Sequence, residues 1–250
     1  MKKVAQLSRQ ERKELFSETA NQMSITPAAA EKDFWICWVL LQLFENEELS
    51  RYLRFKGGTS LSKCYNIIER FSEDIDLILD WTPFTGEDPT ASRSKTKQGK
   101  LNQNINEQAQ AKVSVPTIVV ERTFWEKLTI LHAEAHRPAD KALPSRYARH
   151  YYDVYKLVES GVHVKALKDL KLLEDVVVFK QRFYPSGWTN YDTATLAELV
   201  LQPSTHHIDM LAMDYGQMQE MLFGSKPSFD DMIGTLINLE NKIHSLADKR

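Results

Sequence analysis

Glycine and cysteine are scarce in this sequence, and long hydrophobic runs are missing. Nine glycines among 250 residues are about half the usual share, and together with apolar patterns of 3.6-residue period they predict a helix-rich protein. The two cysteines, Cys37 and Cys64, have neither a disulfide framework nor zinc-binding spacing, which favours a reducing, cytoplasmic environment. No stretch approaches about 18 consecutive apolar residues, and the charged first residues leave no room for a signal-peptide core. We therefore expect neither a membrane span nor a secretory signal.

Neither sign of charge dominates the composition. Lys and Arg total 32 against 34 Asp and Glu, which gives a net charge of −2. This balance excludes a uniformly basic nucleic-acid coat protein, although it leaves a local basic groove open. Hydrophobic residues make up 42% and charged residues 26% of the chain, a mixture that is typical of soluble globular proteins and excludes a disordered or fibrous one.

The first half of the chain alternates helices with short strands. The pair Ser8 and Glu11 forms a capping-box pattern that predicts a helix over 8–22, and Thr26-Pro27 begins a second, strongly apolar helix. We expect Ile75, Leu77 and Leu79 to share one face of a strand. The polar interval 82–110 is typical of a mobile loop, and a helix at its end is left open. The remaining predicted elements here are a strand at 52–56, a helix at 60–68, the strand F-S-E-D-I-D-L-I-L-D and a strand at 113–120.

The second half has an all-helical pattern. Thr123 and Glu126 form another capping-box pattern that predicts the start of a helix. Further helices are predicted at 145–159, 165–182, 193–201, 204–223 and 228–247, the last capped by Ser228. The expected fold class is α+β, with a small mixed sheet flanked by helices in residues 1–115 and a mostly helical part in residues 116–250.

Two short motifs near residue 65 point to phosphate chemistry. Asp74 and Asp76 lie two positions apart on the predicted strand, so their side chains leave the same face, with Cα atoms roughly 6.5–7 Å apart. Such a carboxylate pair suits Mg²⁺, which takes hard oxygen ligands and keeps water and phosphate in its other positions. Upstream, Gly57-Gly58-Thr59-Ser60 enters a helix, where backbone N–H groups can bind an anion. A side chain at Gly58 would block the phosphate or strain a positive φ.

Each motif also has an ordinary structural explanation. A Gly-Gly pair can simply form a turn, and acidic residues can protect an exposed sheet edge from pairing. Their combination within some twenty residues favours a phosphate cradle followed by a metal-binding pair. That layout is typical of phosphoryl or nucleotidyl transfer.

Three tracts resemble the AbiEii/AbiGii-type nucleotidyltransferase toxins, which belong to the DNA polymerase beta-like nucleotidyltransferase superfamily. The first and most specific is F-K-G-G-T-S-L-S-K-C-Y-N-I-I-E-R-F-S-E-D-I-D-L. The second is E-R-T-F-W-E-K-L-T-I-L-H-A-E-A-H-R, and the third is S-R-Y-A-R-H-Y-Y-D-V-Y-K-L. The interval between the first two tracts is shorter and more polar than in relatives. The resemblance implies a nucleotidyltransferase-type sheet followed by a helical half that completes the active-site cleft.

The resemblance also implies roles for particular residues. Asp74 and Asp76 would bind Mg²⁺ or Mn²⁺, Lys127 would contact phosphate, and Asp153 would be a further acid of the catalytic cluster. The implied nucleotide-binding residues are Lys56, Gly57, Gly58, Thr59 and Ser60. The alternative is that Lys127 is a solvated helix residue and Asp153 an ordinary surface partner of Lys156 or Arg149. Glu126 is explained by capping and His132 by packing, so neither is assigned a catalytic role.

The leading functional hypothesis is metal-dependent transfer of a nucleoside monophosphate (NMP) from a nucleoside triphosphate (NTP) to an acceptor. The resemblance favours an RNA 3′ end, tRNA especially, as acceptor and implies a toxin with a cognate antitoxin protein. Two alternatives stay open: transfer to a protein or small-molecule hydroxyl, and a catalytically silent nucleotide-binding module. Basic residues that could contact RNA phosphates, or form merely a solvated surface, are Arg93, Lys95, Lys97, Lys100, Arg146 and Arg149.

Overall fold

The computed structural model describes residues 1–72, 74–80, 96–100 and 114–248. These residues form two compact units: the described residues of 1–86, 95–118 and 220–225 make the first, and those of 119–219 and 226–250 make the second. The architecture confirms the predicted α+β class. The predicted division at residues 115 and 116, with the roles assigned to each part, stays a prediction. No helix in the described ranges is both long enough and apolar enough to cross a membrane.

Local capping determines where the two longest helices of the first unit begin. Ser8 and Glu11 form the predicted capping box, and the Thr26 hydroxyl accepts a hydrogen bond from the Ala29 amide while Pro27 occupies the first helical position. Both predicted helix starts are therefore confirmed. The helices of this unit are α1 (Lys2–Ala5), α2 (Arg9–Met23), α3 (Pro27–Glu45), α4 (Glu47–Tyr52) and α5 (Gly57–Lys63).

A four-stranded mixed sheet forms from the described strands of the first unit. These are β1 (Leu53–Lys56), β2 (Asp76–Leu79), β3 (Thr96–Lys100) and β4 (Ser114–Ile118), in the order β2-β1-β4-β3. Strand β1 pairs antiparallel with β2 and parallel with β4, and β3 pairs antiparallel with β4.

Strand β3 corrects the prediction of a loop over the whole interval 82–110. Lys97 and Lys100 lie on this strand, whereas Arg93 and Lys95 lie outside the described residues. The strand is held by backbone hydrogen bonds to β4. Its sequence, T-K-Q-G-K, has no alternation of apolar and polar residues, so the sequence pattern did not predict a strand here.

The core of the first unit forms where helix α3 packs on the sheet. Phe55, fully buried, lies in a cluster with residues of α3 and with Val115 of β4, and Ile75 and Leu77 pack against that cluster. The prediction that Ile75 and Leu77 share a face is therefore confirmed. Leu79, two residues beyond Leu77 on β2, keeps that face by the alternation of a strand and is 37% exposed there.

The second unit is helical in its described residues. Its helices are α6 (Val120–Ala135), α7 (Ala148–Glu159), α8 (Val162–Ala166), α9 (Lys171–Phe183), α10 (Ile208–Met218) and α11 (Phe229–Ala247). Ser228 caps α11 as predicted. Two predictions were wrong: residues 165–182 form parts of two helices, and residues 193–201 form turns after a short 3₁₀ segment, Tyr191–Thr193.

Helix α6 begins four residues earlier than the capping pattern predicted. Thr123 is fully buried inside the helix rather than at its N-cap, which is Val119. Glu126 instead accepts a hydrogen bond from the buried Arg122 guanidinium, with Nε and Oε1 3.2 Å apart. The pattern failed because this helix is buried on nearly all sides, and tertiary packing decides where it starts.

Candidate functional site

The turn between β1 and α5 places a carboxylate over the start of the helix. Gly57 has φ of +77°, a conformation that side chains disfavour. Asp76 pairs with Lys56 in the register of β1 and β2, and a Cβ atom at Gly57 would overlap the Asp76 carboxylate. Position 57 therefore requires glycine both for its backbone conformation and for the room that Asp76 needs.

The two aspartates alternate with a core residue. Asp74 and Asp76 are exposed, whereas Ile75 between them is half-buried and packs on the core cluster. Only Asp76 belongs to β2, and Asp74 precedes it. The expectation that both lie within one regular strand is thus corrected, although the alternation of exposed and half-buried side chains persists.

Hydroxyl groups of α5 hold this segment. The Thr59 hydroxyl lies 2.8 Å from the Ser72 hydroxyl and donates to the Asp74 backbone carbonyl at 2.5 Å. The Ser60 hydroxyl donates to the Gly57 carbonyl at 2.8 Å. Both side chains are almost fully buried, so their hydroxyls join the glycine turn to the D-x-D segment. Their predicted contact with a triphosphate stays a prediction.

Arg70 is a residue of this site that sequence reasoning missed. Its guanidinium is buried, donates to the Phe71 carbonyl at 3.0 Å, and lies where a Cβ atom of Gly58 would be. The positive φ expected at Gly58 belongs to Gly57 instead, and the restriction at Gly58 is the nearby guanidinium. The sequence signal that could have identified Arg70 is its place in the first tract, directly before Phe71 and Ser72.

Replacing Gly57 by alanine is expected to remove most transfer activity as well as some stability. The positive φ alone costs about 1 kcal/mol, and the added methyl group displaces the Asp76 carboxylate. Gly161 offers a matched control, because its φ is +76° and no atom of the described residues lies within 4 Å of the place that a Cβ atom would take. Urea unfolding and pyrophosphate release should show that Gly161→Ala loses stability alone. Wild-type transfer per folded Gly57→Ala molecule would contradict the prediction.

In the second unit, the two residues that the resemblance singled out meet. Lys127 of α6 and Asp153 of α7 form an ion pair with Nζ and Oδ2 2.7 Å apart, and their side chains are 8% and 0% exposed. His150 of α7 approaches the same ammonium, with Nδ1 3.2 Å from Nζ. The alternative of a solvated lysine and a surface aspartate is excluded by this burial. The catalytic roles of both residues stay predictions.

His132 is a packed helix histidine, as the sequence indicated. It is fully buried; its Nδ1 accepts a hydrogen bond from the Val200 amide at 3.1 Å, and its Nε2 lies 2.9 Å from the Asn190 carbonyl. The ring is therefore the neutral tautomer with its proton on Nε2. Both nitrogens serve protein contacts, which leaves this residue a structural role.

Acidification is expected to destabilise the protein through His132. Burial lowers the pKa of His132 below its ordinary value of 6.5, so below that pH the unfolded chain binds a proton that the native chain does not. The free energy of unfolding should be undiminished above about pH 6.5 and fall by at most about 1.4 kcal/mol per pH unit on acidification. Urea titrations should show a smaller pH dependence for His132→Gln. The exposed His206 provides the control, and equal slopes in both variants would contradict the prediction.

The basic residues before and in α7 differ in their surroundings. Arg146 is exposed and its backbone amide donates to Asp214 Oδ1 at 2.6 Å, while the Ala148 amide donates to Asp214 Oδ2 at 2.8 Å. Asp214 thus holds the first residues of this segment, and Arg149 is half-buried. Their predicted contacts with RNA phosphates stay predictions.

The carboxylates of the first unit fit a divalent cation whose remaining coordination positions are filled by substrate phosphates and waters. Within the described ranges, no group of three or more His, Cys, Asp or Glu side chains could hold a metal ion. Mg²⁺, however, is commonly bound by one or two carboxylates together with substrate phosphates and waters. Asp74 and Asp76 supply two exposed carboxylates, and the room kept at Gly57 places one of them at the start of α5.

Comparison with known proteins shows which family the segments containing these residues match. A family model described as nucleotidyl transferase AbiEii toxin, type IV TA system, matches residues 38–110 and 95–235. The matches cover well over half of the chain and include the glycine turn, the D-x-D segment and the Lys127–Asp153 pair. No curated protein and no solved structure matches the chain. The resemblance expected from the three tracts is confirmed.

Proposed function

Because this chain belongs to the AbiEii nucleotidyl transferase toxin family of type IV toxin–antitoxin systems, we propose that it moves an NMP from an NTP to the 3′ end of an RNA. The observation that carries this proposal is the Asp76 carboxylate lying over Gly57 at the start of α5. An acid that would bind the metal thereby lies beside the N–H groups of a helix start, which supports phosphate chemistry at this place.

The reaction is a substitution at the α-phosphorus of the NTP. The hydroxyl oxygen of the acceptor forms a bond to that phosphorus, the bond to the bridging oxygen of the β-phosphate breaks, and pyrophosphate leaves. Asp74 and Asp76 would hold Mg²⁺ or Mn²⁺, which when bound offsets the charge developing on the phosphates. The triphosphate would lie along the segment from Lys56 to Ser60, because the backbone N–H groups of a helix start can bind an anion.

Lys127 and Asp153 receive distinct roles in this proposal. The Lys127 ammonium would contact the phosphates as a point charge, and Asp153, already 2.7 Å from it, would hold it in place and supply the further acid of the site. A lysine buried beside a carboxylate keeps its position when the nucleotide leaves. This arrangement supports a pre-organised phosphate contact.

The proposed acceptor and partner rest on the family and on basic residues of the chain. Lys97 and Lys100 lie on β3 and Arg146 is exposed, which supports electrostatic contact with an RNA backbone. A tRNA 3′ end is the favoured acceptor, and a cognate antitoxin protein is the expected partner. The NTP and tRNA that this reaction needs are both cytoplasmic.

The test is incubation of the protein with each labelled NTP, Mg²⁺ and total RNA, followed by mapping of the labelled product. We expect one NTP to label a defined class of RNA 3′ ends, with release of pyrophosphate that a chelator abolishes. Label in protein or in a small molecule would instead favour another hydroxyl acceptor. Nucleotide binding without pyrophosphate release would favour the catalytically silent module.

A further inference from the structure

His150 lies in a position that the reaction assigned above does not yet use. Its Nδ1 is 3.2 Å from the Lys127 ammonium, and it precedes Asp153 by three residues, so both side chains leave the same face of α7. Lys127 approaches from α6. Two groups on one helix thus contact the ammonium of a lysine on another.

The chemistry of the contact fixes the state of the imidazole. An ammonium group can only donate hydrogen bonds, so Nδ1 of His150 must be the acceptor and the ring carries its proton on Nε2. The neighbouring Tyr147 packs edge-on against this ring, with centroids 4.8 Å apart and planes at 74°. Tyr147 therefore packs against one side of the imidazole, while Nδ1 accepts a hydrogen bond from Lys127.

A neutral second acceptor has a specific advantage beside a triphosphate. Lysine has a flexible side chain, and each acceptor that contacts its ammonium restricts the rotamers the side chain can adopt. A second carboxylate would also orient the ammonium, but it would give the group a net negative charge and repel phosphate. An imidazole orients the ammonium and adds no charge.

We propose that His150 is a positioning residue for nucleotidyl transfer, holding the Lys127 ammonium in the orientation in which it meets the phosphates of the NTP. This inference rests on the proposed function, in which Lys127 contacts those phosphates. It assigns His150 no contact with substrate. Its consequence is that an uncharged acceptor at this place, rather than an imidazole as such, is what the reaction requires.

The experiment compares His150→Asn with His150→Phe in the full chain. The asparagine amide oxygen occupies the δ1 position and can still accept from Lys127, whereas phenylalanine keeps the ring and removes the acceptor. Initial rates of pyrophosphate release against NTP concentration give kcat and KM, and thermal unfolding monitors the fold. His206, which is exposed in the same unit, receives the same two substitutions as a control.

We expect His150→Phe to lower kcat/KM by roughly tenfold or more, the usual effect of losing a hydrogen bond to a charged group. The kcat/KM of His150→Asn should stay within about threefold of wild type, although the smaller asparagine side chain fills the space of the imidazole less well than phenylalanine does. Equal loss in both variants, in proportion to lost thermal stability, would overturn the inference, as would full activity in His150→Phe. If the wild-type protein itself releases no pyrophosphate with any NTP, the proposed function and this inference both fall.

Discussion

Asp76→Asn is expected to abolish nucleotidyl transfer, with a loss of about 10³-fold or more, while the chain stays folded. The Asp76 side chain is exposed, so the substitution leaves no buried charge unpaired, and it removes repulsion between two nearby carboxylates. The loss in rate follows because the metal site would keep only one of its two protein carboxylates, and such a site supplies several kcal/mol of charge stabilisation. Pyrophosphate release and far-UV circular dichroism measure the two effects.

Asp80→Asn is the matched control for this substitution. Asp80 follows the other end of β2 and pairs with Arg54 at 2.7 Å, with side chains 24% and 19% exposed. Loss of such a partly exposed pair should change the free energy of unfolding by less than about 1 kcal/mol and leave transfer intact. Wild-type turnover in Asp76→Asn, or equal inactivation by both substitutions, would rule out the assigned metal site.

Removing either member of the Lys127–Asp153 pair is expected to affect both stability and transfer. The pair is buried, so Lys127→Met or Asp153→Leu leaves an uncompensated charge, which typically costs about 3–5 kcal/mol of stability. The double variant replaces the pair by apolar side chains and should recover most of that loss. Transfer should nevertheless stay at least about 10²-fold below wild type, because the charge that meets the phosphates is gone.

A second ion pair, on helix α6, serves as the control that separates loss of stability from loss of transfer. Arg122 and Glu126 form a second buried ion pair, with side chains 0% and 6% exposed, and no role in transfer is assigned to them. Arg122→Met with Glu126→Leu should alter urea unfolding but preserve transfer per folded molecule. If the double variant at Lys127 and Asp153 folds and transfers at the wild-type rate, the pair is a structural ion pair only.

Several predictions from short sequence patterns were confirmed by the structure. The Ser8 and Thr26 caps, the alternation of Ile75 and Leu77, and the entry of Gly57-Gly58 into a helix were all predictable. Each depends on hydrogen bonds or periodicity within a few residues, so the information lies in the segment itself. The family could be inferred for the same reason, since its first tract is one continuous stretch.

Features formed between distant segments depended on the tertiary structure alone. Strand β3 exists because β4 pairs with it, and α6 starts at Val120 because its neighbours bury it. The positive φ belongs to Gly57 rather than Gly58, and the Asp76 carboxylate occupies the space that a side chain at Gly57 would take. Lys127 and Asp153 are 26 positions apart, and only the packing of α6 with α7 makes them an ion pair joined by His150. Pairing, burial and close approach are properties of the folded chain, and no local pattern of residues encodes them.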